Sequence, residues 1–328
     1  MFFSTFTIFL AMLASNFLAP SFLPEDGFFS LSYCKEAAEA GEDFSFFDYF
    51  PLRGVSYHQT NIDLSAPWLS PPPERATSAP PQINSTVALS WDPRSGKVLW
   101  GKNQNRKRPL ASITKLMTAL VFLDTDPDWN DYYKIKPTDK REGGKIYLYW
   151  GEEVKTKDLF YASLVASANT ATVALVHSSG LSEEEFLKKM NRKARSWGLR
   201  KTFFKDVTGL NSENTSSAWE IAKLTQKAFA RERIKKALSL PKYEFETKGG
   251  RTKEVETTDE LLKNFSLKEI EFKGGKTGYN EEAGYCLVSG FKYKDNFLIS
   301  VILGAENKKD RFSLTRDLIK WTAGAYKW

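Results

Sequence analysis

The stretch AGYCLVSGFKYKDNFLISVIL, residues 283–303, decides the fold class because it supplies two apolar β-strands in the last part of the sequence. Two further strands, STVALSWD at 85–92 and KVLWGKN at 97–103, are joined by the turn sequence PRSG. Helical patterns fill the region between the two pairs. This order predicts one α+β domain, in which strands from both ends join a single antiparallel sheet packed with a helical cluster.

The region between the strand pairs carries helix start and stop signals. Ser182 with Glu185 forms a capping-box pattern, and Gly198 marks the end of the same helix. Ser217 with Glu220 forms a second capping-box pattern. The first long helix is indicated by apolar residues that share one helix face, namely Ile113, Leu116, Met117, Leu120 and Val121.

After Leu240 the pattern changes from helical to strand-like. KYEFETKGGRTKEVET, residues 242–257, predicts a hairpin that turns at Gly249 and Gly250. No repeat of 20 to 50 residues is visible, so the sequence does not predict a repeat architecture. A last amphipathic helix is indicated by Leu314, Leu318 and Ile319.

Composition narrows the class of protein. The 328 residues carry a net charge of +7, with 41% apolar and 27% charged residues, which excludes wholesale disorder and a collagen-like fibre. Cys34 and Cys286 cannot form a disulfide scaffold, and we interpret Cys286 as a small core residue. With His58 and His177 as the two histidines, a histidine-rich metal site is not expected, and a histidine-based serine triad must use one of them.

The charge pattern says little about partners. The densest basic run, residues 102–108, is interpreted as a solvated loop, with attraction to an anionic surface as the alternative. No zinc-finger spacing or RNA-binding signature occurs, so nucleic acid is not expected as a partner.

The first 84 residues differ in composition from the rest. Residues 2–23 carry no charge and are long enough to span a bilayer or to serve as a secretion signal. We therefore predict a signal peptide or N-terminal membrane anchor over residues 1–24, with a buried N-terminal helix as the alternative. Residues 25–84 hold seven of the 14 prolines and predict a largely irregular spacer. The folded domain is predicted over residues 85–328.

The pattern Ser112-x-x-Lys115 opens the first long helix and places both side chains on one face. A serine hydroxyl is a poor nucleophile until a base takes its proton, and a neutral Lys115 is a candidate base. Keeping a lysine uncharged at pH 7 costs roughly 4.6 kcal/mol, which burial and a neighbouring cation can supply. The alternative role for Ser112 is a helix N-cap. The four-residue pattern also occurs elsewhere, at Ser32, Ser239 and Ser289.

Two further elements strengthen the case for a nucleophilic site. Ser167-Ala168-Asn169 lies between two apolar helical stretches, so a break there would present a hydroxyl and an amide from a short loop. Lys276-Thr277-Gly278 follows two glycines and is expected to begin a strand, where a ligand can lie close to the backbone. The three elements in this order are a stronger signal than any one of them.

Together, these elements resemble the signature set of penicillin-binding proteins and serine β-lactamases. The surrounding sequence, from about Thr86 to the end, narrows the resemblance to serine-type D-alanyl-D-alanine carboxypeptidases of the low-molecular-mass class. A β-lactamase/transpeptidase-like fold is implied. The matching stretches are PLASITKLMTALV (109–121), GEEVKTKDLFYASLVASANTATVAL (151–175), GLNSENTSSAWEIAKL (209–224) and GGKTGYNEEAGYCLV (274–288).

The resemblance implies a serine hydrolase that removes the terminal D-alanine from peptidoglycan stem peptides. Ser112 would attack the D-Ala-D-Ala carbonyl to form an acyl-enzyme, and Lys115 would be the base. Ser167 would relay a proton to the leaving D-alanine, and Asn169 would orient Lys115 and the substrate amide. Penicillin and other β-lactams would act as covalent inhibitors. No cofactor and no metal are implied.

The resemblance also implies a set of substrate-binding residues. Lys276 and Thr277 would hold the substrate carboxylate. The backbone N–H groups of Ser112 and Tyr279 would form the oxyanion hole, each contributing about 2.7–4 kcal/mol to transition-state stabilisation. The set is completed by Gly278, at the end of the third motif, and Arg311, which we expect in the loop before the last helix.

The sequence departs from the family pattern at two points. Ala168 stands where the family usually has glycine, and TTDELLKN (257–264) replaces a more asparagine-rich sequence. Many relatives carry a C-terminal β-domain and a terminal membrane helix. Because this chain stops at Trp328, right after the last predicted helix, any membrane attachment is expected through residues 1–24. The protein is expected outside the cytoplasm.

Other functions of the same fold remain open at this point. A D,D-endopeptidase uses the same machinery. A class A β-lactamase needs a glutamate-activated water, for which Glu260, between the second and third motifs, is a poor candidate. A non-catalytic cell-wall binding module is disfavoured by the intact Ser112, Lys115 and Lys276.

Overall fold

The structure is a computed structural model that describes the backbone of residues 74–75 and all of residues 79–328. The predicted signal or anchor over residues 1–24, most of the predicted spacer, Cys34 and His58 lie outside these residues. No helix in the described ranges is both long enough and apolar enough to cross a membrane.

The described residues form 13 strands and eight α-helices, numbered in chain order. The strands are β1 Glu74–Arg75, β2 Ser85–Trp91, β3 Val98–Lys102, β4 Arg108–Pro109, β5 Tyr132–Lys134, β6 Glu153–Lys155, β7 Thr215–Ser216, β8 Lys242–Glu246, β9 Thr252–Glu256, β10 Ile270–Asn280, β11 Gly284–Tyr293, β12 Asn296–Ala305 and β13 Tyr326–Lys327. The α-helices are α1 Lys115–Leu123, α2 Thr156–Val165, α3 Asn169–Ser178, α4 Glu183–Ser196, α5 Ala218–Phe229, α6 Glu232–Ser239, α7 Leu261–Asn264 and α8 Asp310–Gly324. Two 3-10 turns lie at Ala111–Thr114 and Pro137–Asp139.

The main sheet joins strands from both ends of the described chain. Its order is β10-β11-β12-β2-β3, and every neighbouring pair is antiparallel. The contact between the two ends is made by β12 and β2, with Val301 opposite Leu89. The predicted α+β class and the single antiparallel sheet are therefore confirmed.

Both faces of the central strands β2, β11 and β12 are largely buried, which explains why these strands are rich in apolar residues. Leu89 and Val301 point into the large core shared with the helical cluster. Their neighbours Ala88 and Ile302 belong to a second core, on the opposite face, together with Leu318 of α8. The sheet thus packs against α8 on one face and against the helical cluster around α1 on the other.

Helix α1 lies at the centre of the helical cluster. It contacts α2, α3, α4, α5 and α6. Every residue from Lys115 to Phe122 is buried. The predicted apolar stripe is therefore only part of a helix that is covered on all sides, and this leaves Lys115 with no route to bulk water along the helix.

Most local signals in the sequence are confirmed. Ser182 and Glu185 form a reciprocal capping box, and α4 ends just before Gly198. The Ser217 hydroxyl accepts a hydrogen bond from the Glu220 N–H, but the Glu220 carboxylate is used elsewhere: it accepts from the Lys201 N–H. The predicted hairpin over 242–257 is present as β8 and β9. Cys286 is a fully buried core residue, as predicted.

Residues before Ser85 also pack onto the domain. Strand β1 pairs with β13, close to the end of the described chain. Ile83 is buried in the same core as Leu318. Residues that precede the strand pattern at 85–92 therefore also contact the folded domain.

Candidate active site

Ser112 lies in the 3-10 turn Ala111–Thr114, which leads directly into α1. Its neighbours Ala111 and Ile113 are buried, whereas Ser112 is half-buried, so packing fixes the turn and leaves the hydroxyl accessible. The N-cap positions are Leu110 and Thr114. The alternative role of Ser112 as a helix N-cap is therefore wrong, and α1 begins three residues later than the sequence pattern indicates.

Two glycines allow other segments to approach this turn closely. A Cβ on Gly278 of β10 would lie 2.8 Å from the carbonyl oxygen of Leu110 and 3.1 Å from the Ser112 nitrogen. A Cβ on Gly209 would lie only 1.9 Å from the carbonyl oxygen of Ala111. The nucleophile turn is thus held between the edge strand and the loop that precedes α5.

The Lys115 side chain is fully buried, and its Nζ contacts three oxygen atoms. It lies 2.7 Å from both Asn169 Oδ1 and the Thr208 carbonyl oxygen, and 3.0 Å from Ser112 Oγ. The first two oxygens can only accept, so they take both hydrogens of a neutral amine. The lone pair of that amine then faces Ser112, whose hydroxyl can donate its proton along this contact.

The electrostatic surroundings of Lys115 favour the neutral amine. Burial lowers its pKa to about 7, even though the negative charge of nearby Asp206 raises it. At neutral pH a large fraction of Lys115 is therefore uncharged, whereas a lysine in water is almost fully protonated.

Asp206 shapes the loop that contacts Lys115. Its Oδ1 accepts hydrogen bonds from the N–H groups of Thr208 and Gly209, each at 2.6 Å, and its Oδ2 accepts from the Asn211 N–H. These bonds fix the turn whose Thr208 carbonyl receives the Lys115 hydrogen. The sequence analysis missed this residue, although an Asp two residues before Thr-Gly is a recognisable Asx-turn signal.

The second motif forms the sharp connection between α2 and α3, as predicted. Ser167 has a φ of 58°, a left-handed conformation that breaks the helical path. Ala168 has a φ of −67° and a ψ of 115°, which any residue adopts, so alanine in place of glycine causes no backbone strain. Asn169 Nδ2 donates to the Gly143 carbonyl at 2.9 Å, which orients Oδ1 towards Lys115.

Lys276 brings the third motif to the same site. It lies in the C-terminal half of the edge strand β10, so the expectation that it begins a strand is wrong. Its buried Nζ donates to Ser167 Oγ at 2.8 Å and to the Thr277 carbonyl oxygen at 3.0 Å. Burial lowers the pKa of Lys276, and the charges of Lys115 and Arg311 lower it further. Charge on one amine disfavours charge on the other, so the two buried lysines do not readily carry a proton at the same time.

Arg311 lies in the first turn of α8, not in the preceding loop as expected. Its buried guanidinium donates to the Gly278 carbonyl oxygen at 3.2 Å and packs over the Phe312 ring. Asp259 carries a buried carboxyl group. Its negative charge raises the pKa values of Arg311 and Lys276 and so partly offsets the lowering that burial causes. Burial raises the pKa of Asp259 to about 7. The sequence analysis did not single out Asp259.

Tyr279 and Thr277 complete the described surroundings of the third motif. The Tyr279 side chain is exposed, and its ring stacks on Tyr285 with centroids 4.2 Å apart. The Thr277 hydroxyl bonds the Thr258 hydroxyl. The structure thus forms two hydrogen-bonded sets from the three motifs, Ser112–Lys115–Asn169 and Ser167–Lys276, which meet at the short connection 167–169. Thr277, Gly278, Tyr279 and Arg311 lie along the β10 side.

The described histidine is not part of either hydrogen-bonded set. His177 Nδ1 lies 2.6 Å from Asp139 Oδ1, near the end of α3. It is eight residues beyond Asn169, which corresponds to about 12 Å along the helix. Within the described residues, no cluster of three or more His, Cys, Asp or Glu side chains could hold a metal ion.

Comparisons with known proteins agree with this geometry. Residues 74–307 match the sequence profile of the D-alanyl-D-alanine carboxypeptidases, peptidase family S11. D-alanyl-D-alanine carboxypeptidase DacF of Bacillus subtilis (strain 168) is 34% identical over 272 residues, which cover 77% of this chain and 65% of that protein. A D-alanyl-D-alanine endopeptidase of Haemophilus influenzae is 32% identical over 234 residues, which cover 70% of this chain and 79% of that protein.

Solved structures show the same fold. The Streptomyces K15 DD-transpeptidase superposes with a TM-score of 0.70 at 24% identity, covering 75% of this chain and 99% of that one. D-alanyl-D-alanine carboxypeptidase from Mycobacterium tuberculosis H37Rv superposes with a TM-score of 0.68 at 26% identity, covering 76% and 94%. The fold and the site define a serine peptidase of the penicillin-binding type. The chain belongs to the D-alanyl-D-alanine carboxypeptidase family, S11.

Proposed function

We propose that the protein is a serine-type D-alanyl-D-alanine carboxypeptidase that trims peptidoglycan stem peptides. The observation that carries the proposal is the contact of a buried lysine amine with the hydroxyl of Ser112, in a chain that belongs to this family. The family name describes the reaction, and the contacts of Lys115 with Ser112 and of Lys276 with Ser167 support the roles of nucleophile, base and carboxylate-binding amine.

In the first step, Ser112 Oγ attacks the carbonyl carbon of the penultimate D-alanine. Its proton passes to the neutral Lys115 amine, which lies 3.0 Å away. The carbonyl oxygen becomes an oxyanion, stabilised by the backbone N–H groups of Ser112 and Tyr279. The close approach of Gly278 to Ser112 supports this assignment because it brings β10 beside the nucleophile.

The peptide C–N bond then breaks, and the leaving amine of D-alanine needs a proton. Ser167 relays one from the Lys115 side, and its contact with Lys276 favours the hydroxyl orientation needed for this transfer. The acyl group stays on Ser112 as an ester. Water hydrolyses the ester in the second half of the reaction, which releases the shortened stem and the free serine.

The substrate carboxylate is held by Lys276 and Thr277. Arg311 acts on this site through the backbone because its guanidinium bonds the Gly278 carbonyl oxygen. Asn169 orients Lys115 through Oδ1 and remains fixed by the Gly143 carbonyl. β-Lactams acylate Ser112 in the same way as the peptide.

A β-lactamase activity is disfavoured by the position of Glu260. Its carboxylate forms a 2.7 Å ion pair with Lys308 and is about half exposed, so it is not directed at an acyl group on Ser112. Cleavage of crosslinks is the second candidate because several relatives of this chain are named D-alanyl-D-alanine endopeptidases. The site of action is outside the cytoplasmic membrane, with export, and any membrane attachment, through residues 1–24.

The direct test is incubation with a pentapeptide stem that ends in D-Ala-D-Ala, followed by measurement of free D-alanine. We expect release by the wild type and none by the Ser112→Ala variant. Crosslinked dimeric stems offered in parallel measure the endopeptidase activity. Absence of D-alanine release from a folded wild-type protein that also forms no penicillin adduct would refute the proposal.

A further inference from the structure

A group of exposed aromatic and aliphatic side chains lies in the segment between residues 132 and 150. Seven large apolar side chains are exposed in residues 79–328, and four of them lie between residues 132 and 150. Trp150 is the most exposed of the seven, at 77%. The four are Tyr132, Ile146, Tyr149 and Trp150. Clustered exposure of this kind marks interaction surfaces more often than isolated exposed residues do.

Basic side chains from two hairpins surround these rings. The ammonium groups of Lys155 and Lys248 lie 5.5 and 5.4 Å from the centroid of Tyr132. Lys253 lies 4.9 Å from the centroid of Tyr149. Lys155 belongs to β6, whereas the other two belong to the β8–β9 hairpin or its turn.

Two acidic groups at this place, Glu152 and Glu153, are paired with basic side chains. Glu153 pairs with Lys248 at 2.8 Å, and Glu152 pairs with Lys253 at 2.7 Å. Arg251 also approaches Glu152, at 3.4 Å. We call this area the aromatic–basic surface. It comprises Tyr132, Ile146, Tyr149, Trp150, Lys155, Lys248, Arg251 and Lys253.

The aromatic–basic surface continues from the candidate active site. The loop that carries Ile146, Tyr149 and Trp150 begins at Gly143, whose carbonyl oxygen accepts from Asn169 Nδ2. Residues 141–148 of this loop also line a small cleft together with residues 168–171 at the start of α3. A long ligand that leaves the site on this side therefore meets the exposed rings directly.

We propose that the aromatic–basic surface binds the glycan strand of peptidoglycan and its acidic stem peptides outside the catalytic cleft. The inference rests on the proposed function. Flat aromatic rings offer apolar faces to the C–H groups of sugar rings. The basic side chains of the surface outnumber Glu152 and Glu153, so the excess positive charge complements the carboxylates of the stems. Peptidoglycan is a better candidate ligand than a lipid surface because the aromatic–basic surface adjoins the cleft that receives the stem peptides of the same polymer.

Binding of the polymer and hydrolysis of the D-Ala-D-Ala bond can be measured separately because the two assays use different ligands. The variant is the double substitution Tyr149→Ala and Trp150→Ala, and the control is Phe203→Ala, which removes an exposed aromatic residue outside the surface. Each protein is sedimented with insoluble peptidoglycan whose stems lack the terminal D-Ala-D-Ala. Each is also assayed with a soluble acylated tripeptide ending in D-Ala-D-Ala, and sedimented with phosphatidylglycerol vesicles.

We expect the double variant to bind the insoluble polymer about tenfold more weakly than the wild type and the control. Hydrolysis of the soluble tripeptide should be unchanged in all three proteins. Equal binding of the double variant and the wild type to the polymer would overturn the inference. So would loss of vesicle binding with unchanged polymer binding, which would identify the surface as a lipid-binding one. Failure of the wild type to hydrolyse the tripeptide would instead count against the proposed function.

Discussion

Replacing Gly209 by alanine should displace the nucleophile without changing any side chain that takes part in the chemistry. The new Cβ would lie 1.9 Å from the Ala111 carbonyl oxygen, 2.3 Å from its carbon and 2.8 Å from the Ser112 nitrogen. Real Cβ contacts are essentially never shorter than 3.0 Å, so one of the two backbones must move by about 1 Å. The atoms that must give way belong to the turn that carries Ser112.

A displacement of this size lowers the reaction rate about 100-fold when it affects a reacting group. Gly209 also has a φ of 91°, and an alanine there carries a further cost of about 1–2 kcal/mol for the left-handed backbone. Gly180→Ala is the matched control. That glycine has a φ of 78°, and a Cβ would meet nothing within 4 Å. The control therefore contains the backbone cost without the collision.

The assay is the rate of acylation by a labelled penicillin, with thermal unfolding measured on the same samples. We expect Gly209→Ala to acylate about 100-fold more slowly, and Gly180→Ala to acylate at the wild-type rate with a modestly reduced Tm. Gly278→Ala, whose closest contact would be 2.8 Å, should show an intermediate loss if Gly209→Ala does not fold. A folded Gly209→Ala protein that acylates as fast as the control would refute the reasoning.

The remaining predictions concern charge near the lysine and the stability of one helix. Asn169→Asp places a negative charge 2.7 Å from Lys115 Nζ, so it should raise the pKa of this amine and move the acidic limb of the acylation profile to higher pH. Asp206→Asn removes a charge that raises the same pKa, so the limb should move to lower pH; shifts of equal sign would contradict this. Ser182→Ala breaks the capping box with Glu185 and should cost about 1 kcal/mol in urea unfolding, with unchanged acylation.

The sequence alone predicts those elements whose local residue pattern is compatible with one type of secondary structure. Short apolar runs bounded by turn residues predict the central sheet strands, and the Ser182 capping box predicts the start of α4. The three motifs meet because α1, the α2–α3 connection and the edge strand β10 pack against one another. That convergence was inferred from a family resemblance, since nothing in the spacing of distant residues fixes their distance.

Other features of the site depend on packing that no short pattern encodes. The Thr208 carbonyl oxygen is a backbone atom, so its contact with Lys115 does not require a particular residue type at position 208. The contact therefore cannot be predicted from the residue type. Burial of Asp259 depends on the neighbouring segments, and its sequence context is that of an ordinary polar loop. Arg311 was assigned to a loop because a charged residue among polar ones gives no sign that a helix has already begun.

The central claim is that an uncharged Lys115 takes the proton of Ser112. The measurement that tests it most directly is the rate of penicillin acylation as a function of pH, with mass spectrometry identifying the modified residue. Because only the neutral amine is a base, the rate should fall tenfold per pH unit on the acidic side of an apparent pKa of about 7, with the adduct on Ser112. A rate that is independent of pH between about 5 and 9, or an adduct on another residue, would contradict the account.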